Sequence, residues 1–130
     1  MTGLGILLAH LVGDYLFQTH HQASEKVKRW GPALAHAATY TVAYAFVTQS
    51  WPALLVIGGT HAVIDRYRLA KHVVWLKNQF APRAFRPAHT ATGYADDVPP
   101  WMAVWLLIVA DNVIHLLINT AAVYWLGGAS

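Results

Sequence analysis

Seven ionisable residues lie inside otherwise apolar runs of this 130-residue chain: His10 and Asp14, His36, His61 and Asp65, and Asp111 and His115. Three of these sets are His/Asp pairs four residues apart, a spacing that puts both side chains on one helix face. Mixed imidazole and carboxylate ligands suit Zn²⁺, Mn²⁺ or Fe²⁺. Four histidines and three aspartates exceed the needs of one tetrahedral ion, so one or two divalent ions are expected. Two ions about 3.5–4 Å apart form the usual hydrolytic clamp. Asp14, Asp65 and Asp111 are the candidate catalytic carboxylates, with Asp14 as the general base on water if it stays off the metal. With no cysteine, thiolate sites, disulfides and Cys nucleophiles are excluded. There is no P-loop, dinucleotide fingerprint, nucleophile elbow or HExxH, and no nucleic-acid partner is expected.

The same residues allow two other readings. Asp and His can hydrogen-bond across helices as polar glue, or relay protons or metal ions along a channel or transporter path. Gln18, Thr39, Tyr40, Asn112 and Asn119 are expected to support the set or to pack against it. Gly58-Gly59 is expected to permit close helix approach near His61.

Four apolar runs must position these groups. Apolar residues make up 56% of the chain and charged residues 12%, about half the usual charged share. A bilayer span needs roughly 20 mostly apolar residues. The reading is therefore all-α: a polytopic membrane protein, one domain over 1–130, with four transmembrane helices at about 3–22, 31–49, 51–75 and 100–126. A soluble bundle would need polar outer faces, and WMAVWLLIVADNVIHLLINTAAVYWL has none. The first run lacks a basic n-region and a cleavage site, so a retained helix is expected there. Ser50 and Pro52 signal the start of the third helix, and Pro99-Pro100 the start of the fourth. Gly127-Gly128 marks its end. The six tryptophans fall near predicted helix ends, as in an aromatic belt.

All nine Lys and Arg residues fall between the first and second runs or at and after the end of the third. The positive-inside rule then puts both basic segments in the cytoplasm and both termini outside the membrane. In that topology each pair sets Asp nearer the cytoplasm and His deeper, in layers about 6 Å apart. Residues 76–99 form a 24-residue cytoplasmic loop, read as an interfacial lid, with a disordered linker as the alternative. No Lys or Arg within the helix interiors balances the aspartates, which leaves a bound cation as the expected counter-charge. The lipid bilayer is the expected partner, and a bundle this small is expected to associate as a homo-oligomer.

HLVGDYLFQ (His10 to Gln18), Lys26, His36, HAVID (His61 to Asp65) and DNVIH (Asp111 to His115) together resemble a family of small integral-membrane proteins of bacteria and their phages. More distantly, the chain is similar to membrane-bound metal-dependent hydrolases. The resemblance covers most of the chain except residues 76–99. It implies His10, Asp14, His36, His61, Asp65, Asp111 and His115 as the functional, metal-binding set, with Gln18 and Lys26 as accessories. A lysine tends to follow the H-x-x-I-D aspartate by three in that pattern, where this chain has Arg68, a different donor. The function expected is a membrane-embedded, divalent-metal-dependent hydrolase acting on a lipid or lipid-linked phosphate or ester. The alternatives are the channel or transporter and a non-catalytic phage or bacterial envelope-interaction protein.

Overall fold

Each apolar run does form helix, but most of them break before reaching membrane length. The computed structural model describes residues 3–128. Helix α1 spans Gly3–Leu11 and continues into a π turn at Val12–Leu16. The short α2 spans His20–Glu25, α3 Trp30–Tyr44, α4 Trp51–Tyr67 and α5 Leu69–Asn78. After a 3₁₀ turn at Arg83–Phe85, α6 runs unbroken through Pro100–Leu126.

The expected bundle of four transmembrane helices is not what forms. Among the described residues, α6, with 27 residues, is the one helix long and apolar enough to cross a membrane. The multi-pass topology with both termini outside falls with the bundle, since the remaining helices do not support it. The reasons are local. The first run stops at Phe17, and Thr19 then caps α2 with a reciprocal capping box to Gln22. The second closes when the amides of Val47 and Thr48 turn back onto the Tyr44 carbonyl at 2.8 and 3.0 Å. The third is cut at Arg68, whose φ of 51° is left-handed, a conformation costing a non-glycine residue roughly 1–2 kcal/mol.

By packing, the chain divides into two compact units, residues 1–67 with 115–130 and residues 68–114. In the first unit Ile6, Ala9, Tyr40, Ala43, Tyr44, Ile57 and Ala122 form the apolar core. Close approach depends on two glycines. A Cβ on Gly13 would stand 2.5 Å from the Tyr40 ring, and one on Gly58 would collide with the Thr41 hydroxyl. The second of these fits the close helix approach expected beside His61, whereas Gly59 has open space where a side chain would go. In the second unit, Gly93 takes φ +82° against the backbone of Lys71 and Trp75, and its carbonyl accepts from Asn78 at 2.7 Å. That contact gives part of the segment 76–99 an ordered path.

Candidate metal centre

Four side chains from three segments of the first unit converge. Asp14 comes from the π turn, His36 from the middle of α3, and His61 and Asp65 from successive turns of α4. Each offers one ligand atom, and the four atoms lie within 4.8 Å of one another. His36 Nε2 is 3.0 Å from His61 Nε2, 3.2 Å from Asp14 Oδ1 and 3.4 Å from Asp65 Oδ2. His61 Nε2 is 3.3 Å from Asp14 Oδ1 and 3.3 Å from Asp65 Oδ2.

These separations carry the chemical argument. A tetrahedron with metal–ligand bonds of about 2.0–2.1 Å has edges of about 3.3 Å. Five of the six edges here measure 3.0–3.4 Å. Two nitrogens and two oxygens therefore lie at separations that could hold one divalent ion.

The polarity of the groups agrees with this. Gln18 Nε2 lies 3.3 Å from the Asp14 carbonyl oxygen, which can only accept, so that atom is the amide donor. The same nitrogen sits 3.1 Å from His36 Nε2, and it donates into the lone pair there when the His36 proton is on Nδ1. In that tautomer His36 Nε2 is an acceptor, facing two further carboxylate acceptors. Such a convergence of buried acceptors requires a proton or a cation between them. His36 and His61 have no solvent exposure, the Asp65 side chain has 6%, and Asp14 is the most open at 11%.

One source of positive charge is a residue that the resemblance marks as an accessory, although the helix interiors by themselves offer no such counter-charge. Lys26 follows α2 and its ammonium donates to Asp65 Oδ2 at 2.5 Å, with the lysine side chain 17% exposed. The sequence places Lys26 in a basic connecting segment, whereas the fold carries it back onto the cluster. The aspartates therefore have a lysine counter-charge besides any bound ion.

The titration of the cluster follows from its geometry. Burial alone would raise the Asp65 carboxyl, but hydrogen bonds from His115, His36 and His61 hold it well below the usual carboxylate range. Asp14 follows the same pattern, burial being outweighed by His36 and His61. For His61, burial opposes protonation, yet Asp14 and Asp65 push the imidazole up to about 9. In the metal-free protein a proton on His61 thus serves as the positive centre that an ion would otherwise supply.

Around this centre lies a buried second set. Tyr40 stacks on His61, with ring centroids 3.7 Å apart and planes 13° from parallel. Its hydroxyl meets His10 Nδ1 at 2.7 Å and accepts from Asn119 Nδ2 at 2.6 Å. Asn119 also donates to the Tyr44 hydroxyl at 2.9 Å, and Tyr44 donates to the Ile6 carbonyl at 3.1 Å. His10 lies 3.6 Å from Asp14 Oδ2, at the margin of the cluster. His115 contacts Asp65 Oδ1 and His61 Nδ1, each at 3.3 Å.

Of the residues singled out by spacing, Asp14, His36, His61 and Asp65 thus form the tight group, with His10 and His115 bonded beside it. Asp111 belongs to the second unit, one turn ahead of His115 along α6. Asn112 donates to the Ile108 carbonyl of its own helix at 2.9 Å, and Arg68 is the left-handed residue that starts α5. The expected separation into a His layer and an Asp layer is absent, because the side chains interleave at one level. Pairs four apart on a helix are separated by about 6 Å of rise, and the side chains of His61 and Asp65 span that distance, bringing Nε2 to 3.3 Å from Oδ2. The π turn that presents Asp14 was not foreseen. Its one sequence signal is Gly13, beside an aspartate within an apolar run.

Residues 4–90 match the profile of a family described as protein of unknown function (DUF3307). That stretch holds most of the chain and all four clustered residues, and the chain belongs to this family. Neither the comparison with curated proteins nor that with solved structures gave a match.

Proposed function

We propose that this member of the family is a divalent-metal-binding protein, with Zn²⁺ the ion best suited to two imidazoles and two carboxylates, and that its chemistry is hydrolytic. The observation that carries the metal reading is the near-tetrahedral set of 3.0–3.4 Å separations among His36, His61, Asp14 and Asp65. A bound ion would supply Lewis acidity to an ester or phosphate. A set of four protein ligands is closed, so hydrolysis requires one of them to yield its place. Asp14 is the ligand with the greatest solvent access, at 11%. Once off the metal, it is placed to accept a proton from the attacking water.

A lipid or lipid-linked phosphate or ester is the substrate class in keeping with α6. That helix is long and apolar enough to cross a membrane, and 11% of its apolar window is buried. It also carries His115, which bonds Asp65 of the cluster. The membrane proposed is the bacterial cytoplasmic one.

Metal analysis of the purified chain tests the first step. About one equivalent of Zn, Mn or Fe, lost in His61→Ala and Asp65→Asn, is expected; wild-type protein with no metal and no metal-dependent stabilisation would refute it. Hydrolysis of a chromogenic phosphate or ester in detergent, abolished in Asp14→Asn while metal is retained, tests the second. A proton or ion path is the other reading, favoured by the buried run from His10 through Tyr40, Asn119 and Tyr44 to the Ile6 carbonyl. Flux into reconstituted vesicles would support it.

A further inference from the structure

His115 stands where its spacing from Asp111 marks it as a metal ligand, and it falls in a second His/Asp group that could hold an ion. Its contacts with His61 and Asp65, however, point to other work. Neither of its nitrogens belongs to the near-tetrahedral group with His36, His61, Asp14 and Asp65. Its Nδ1 is 3.3 Å from His61 Nδ1, and its Nε2 is 3.3 Å from Asp65 Oδ1. Both contacts fall on the far sides of two ligands. His61 turns Nε2 toward the centre, and Asp65 turns Oδ2 toward it.

We infer that His115 is a positioning residue that closes a hydrogen-bonded ring behind the metal and sets the tautomer of His61. This assignment rests on the metal-binding reading. Proton placement follows from one requirement and admits one solution for neutral imidazoles. If His61 Nε2 keeps its lone pair for an ion, its proton sits on Nδ1. That N–H faces His115 Nδ1, which must then accept. His115 therefore carries its own proton on Nε2, and this N–H faces Asp65 Oδ1, which accepts. Asp65 in turn has Oδ2 for the ion, the oxygen on which the Lys26 ammonium also donates at 2.5 Å. Each contact in the ring has one donor and one acceptor.

The surroundings hold the ring in place. His115 is 1% exposed and His61 fully buried, so water does not compete for these hydrogens. The His61 and His115 rings lie 4.3 Å apart, and Tyr40 stacks on His61 at 3.7 Å. His36 has no such support: its Nδ1 is buried without a hydrogen-bond partner among the described residues. Metal-ligating histidines usually donate their second N–H to an oriented acceptor. Here His61 has that partner and His36 does not.

The test uses the full chain, Zn²⁺ titration and cadmium-loaded protein. His115→Phe should keep the stoichiometry of wild type but bind Zn²⁺ about 10–100-fold more weakly, the usual cost of losing an outer-shell partner. His115→Gln can accept through Oε1 and donate through Nε2, and should recover most of that loss. In isotope-labelled wild-type protein, proton–cadmium coupling is expected at the His36 and His61 rings and not at His115, with the His61 proton on Nδ1. Coupling at His115, or a His61 proton on Nε2, would overturn the assignment, and these readings stand even if His115→Phe fails to fold. If wild type holds neither ion, the metal reading itself falls. If it holds both and His115→Phe binds as tightly as wild type, the assignment of His115 alone falls.

Discussion

At the scale of single residues, the cluster is a competition among three positive species for the same oxygens: a proton on His61, the Lys26 ammonium and a divalent ion. Lys26 Nζ donates to the very oxygen of Asp65 that faces His36 and His61. Removing that charge while keeping the stem, as in Lys26→Met, should tighten Zn²⁺ binding by about ten-fold or more, measured by titration calorimetry. Equal or weaker binding would show that the lysine does not oppose the ion. The proton makes its own prediction for the metal-free protein. His61 is raised from 6.5 to about 9, so its contribution is fully present below 6.5 and is lost as pH rises through 9. Asp14 and Asp65 are lowered from 3.8, so their contribution is present above that value and is lost as pH falls through their folded-state values. Thermal stability without metal should therefore be greatest between about pH 4 and 6.5 and decline on the alkaline side. A melting temperature that keeps climbing from pH 6.5 to 9 would contradict the His61–carboxylate pairing.

At the scale of elements, the site depends on a helix irregularity as well as on residue identity. The π turn at Val12–Leu16 presents Asp14, and Gly13 at its second position lies against Tyr40, the ring that stacks on His61. Gly13→Ala would place a methyl carbon 2.5 Å from the Tyr40 ring as it stands. It should cost about 1–3 kcal/mol by overpacking and loosen metal binding in parallel. Chemical denaturation and Zn²⁺ titration of the one variant would show whether the two effects move together. The composition readily gives α-helix as the class, and Ser50, Pro100 and Gly127 fall at the ends where helix signals place them. The interruption at Arg68 was not legible. Its left-handed backbone leaves Arg66, two positions earlier, bonded to the Val27 carbonyl at 2.7 Å and within 6 Å of the Trp30 and Tyr67 rings. The contacts with Val27 and Trp30 join residues far apart in sequence, and a hydropathy window does not see them.

At the scale of the whole molecule, α6 stands apart. Its side chains Trp105, Val109 and Leu117 are exposed at 63%, 54% and 67%, an apolar surface far larger than scattered surface residues require. A charge at the centre of a membrane-inserted helix costs roughly 2.5–3.5 kcal/mol. Val109→Lys should therefore shift the protein out of the membrane fraction in a flotation assay, without altering its helical circular dichroism. Unchanged flotation would argue against α6 as the anchor. Four apolar runs give one helix of membrane length among the described residues, because mean apolarity does not imply continuous helix, and continuity is a property of the backbone at particular residues.

The sequence by itself determined the helical class, the presence of a long apolar helix over α6 and the residue types of the site, since periodicity, capping and composition act locally. It did not determine that α6 alone would reach membrane length among the described residues. It marked Asp14, His36, His61 and Asp65 because charge within an apolar run is costly wherever that run ends up. Tertiary structure decided which of the seven meet, that Lys26 joins them, and that His115 stands behind Asp65 and His61. Those outcomes depend on helix breaks and interhelical register. A shift of one helical residue turns a side chain by about 100°, and no spacing along the chain fixes that turn relative to a neighbouring helix.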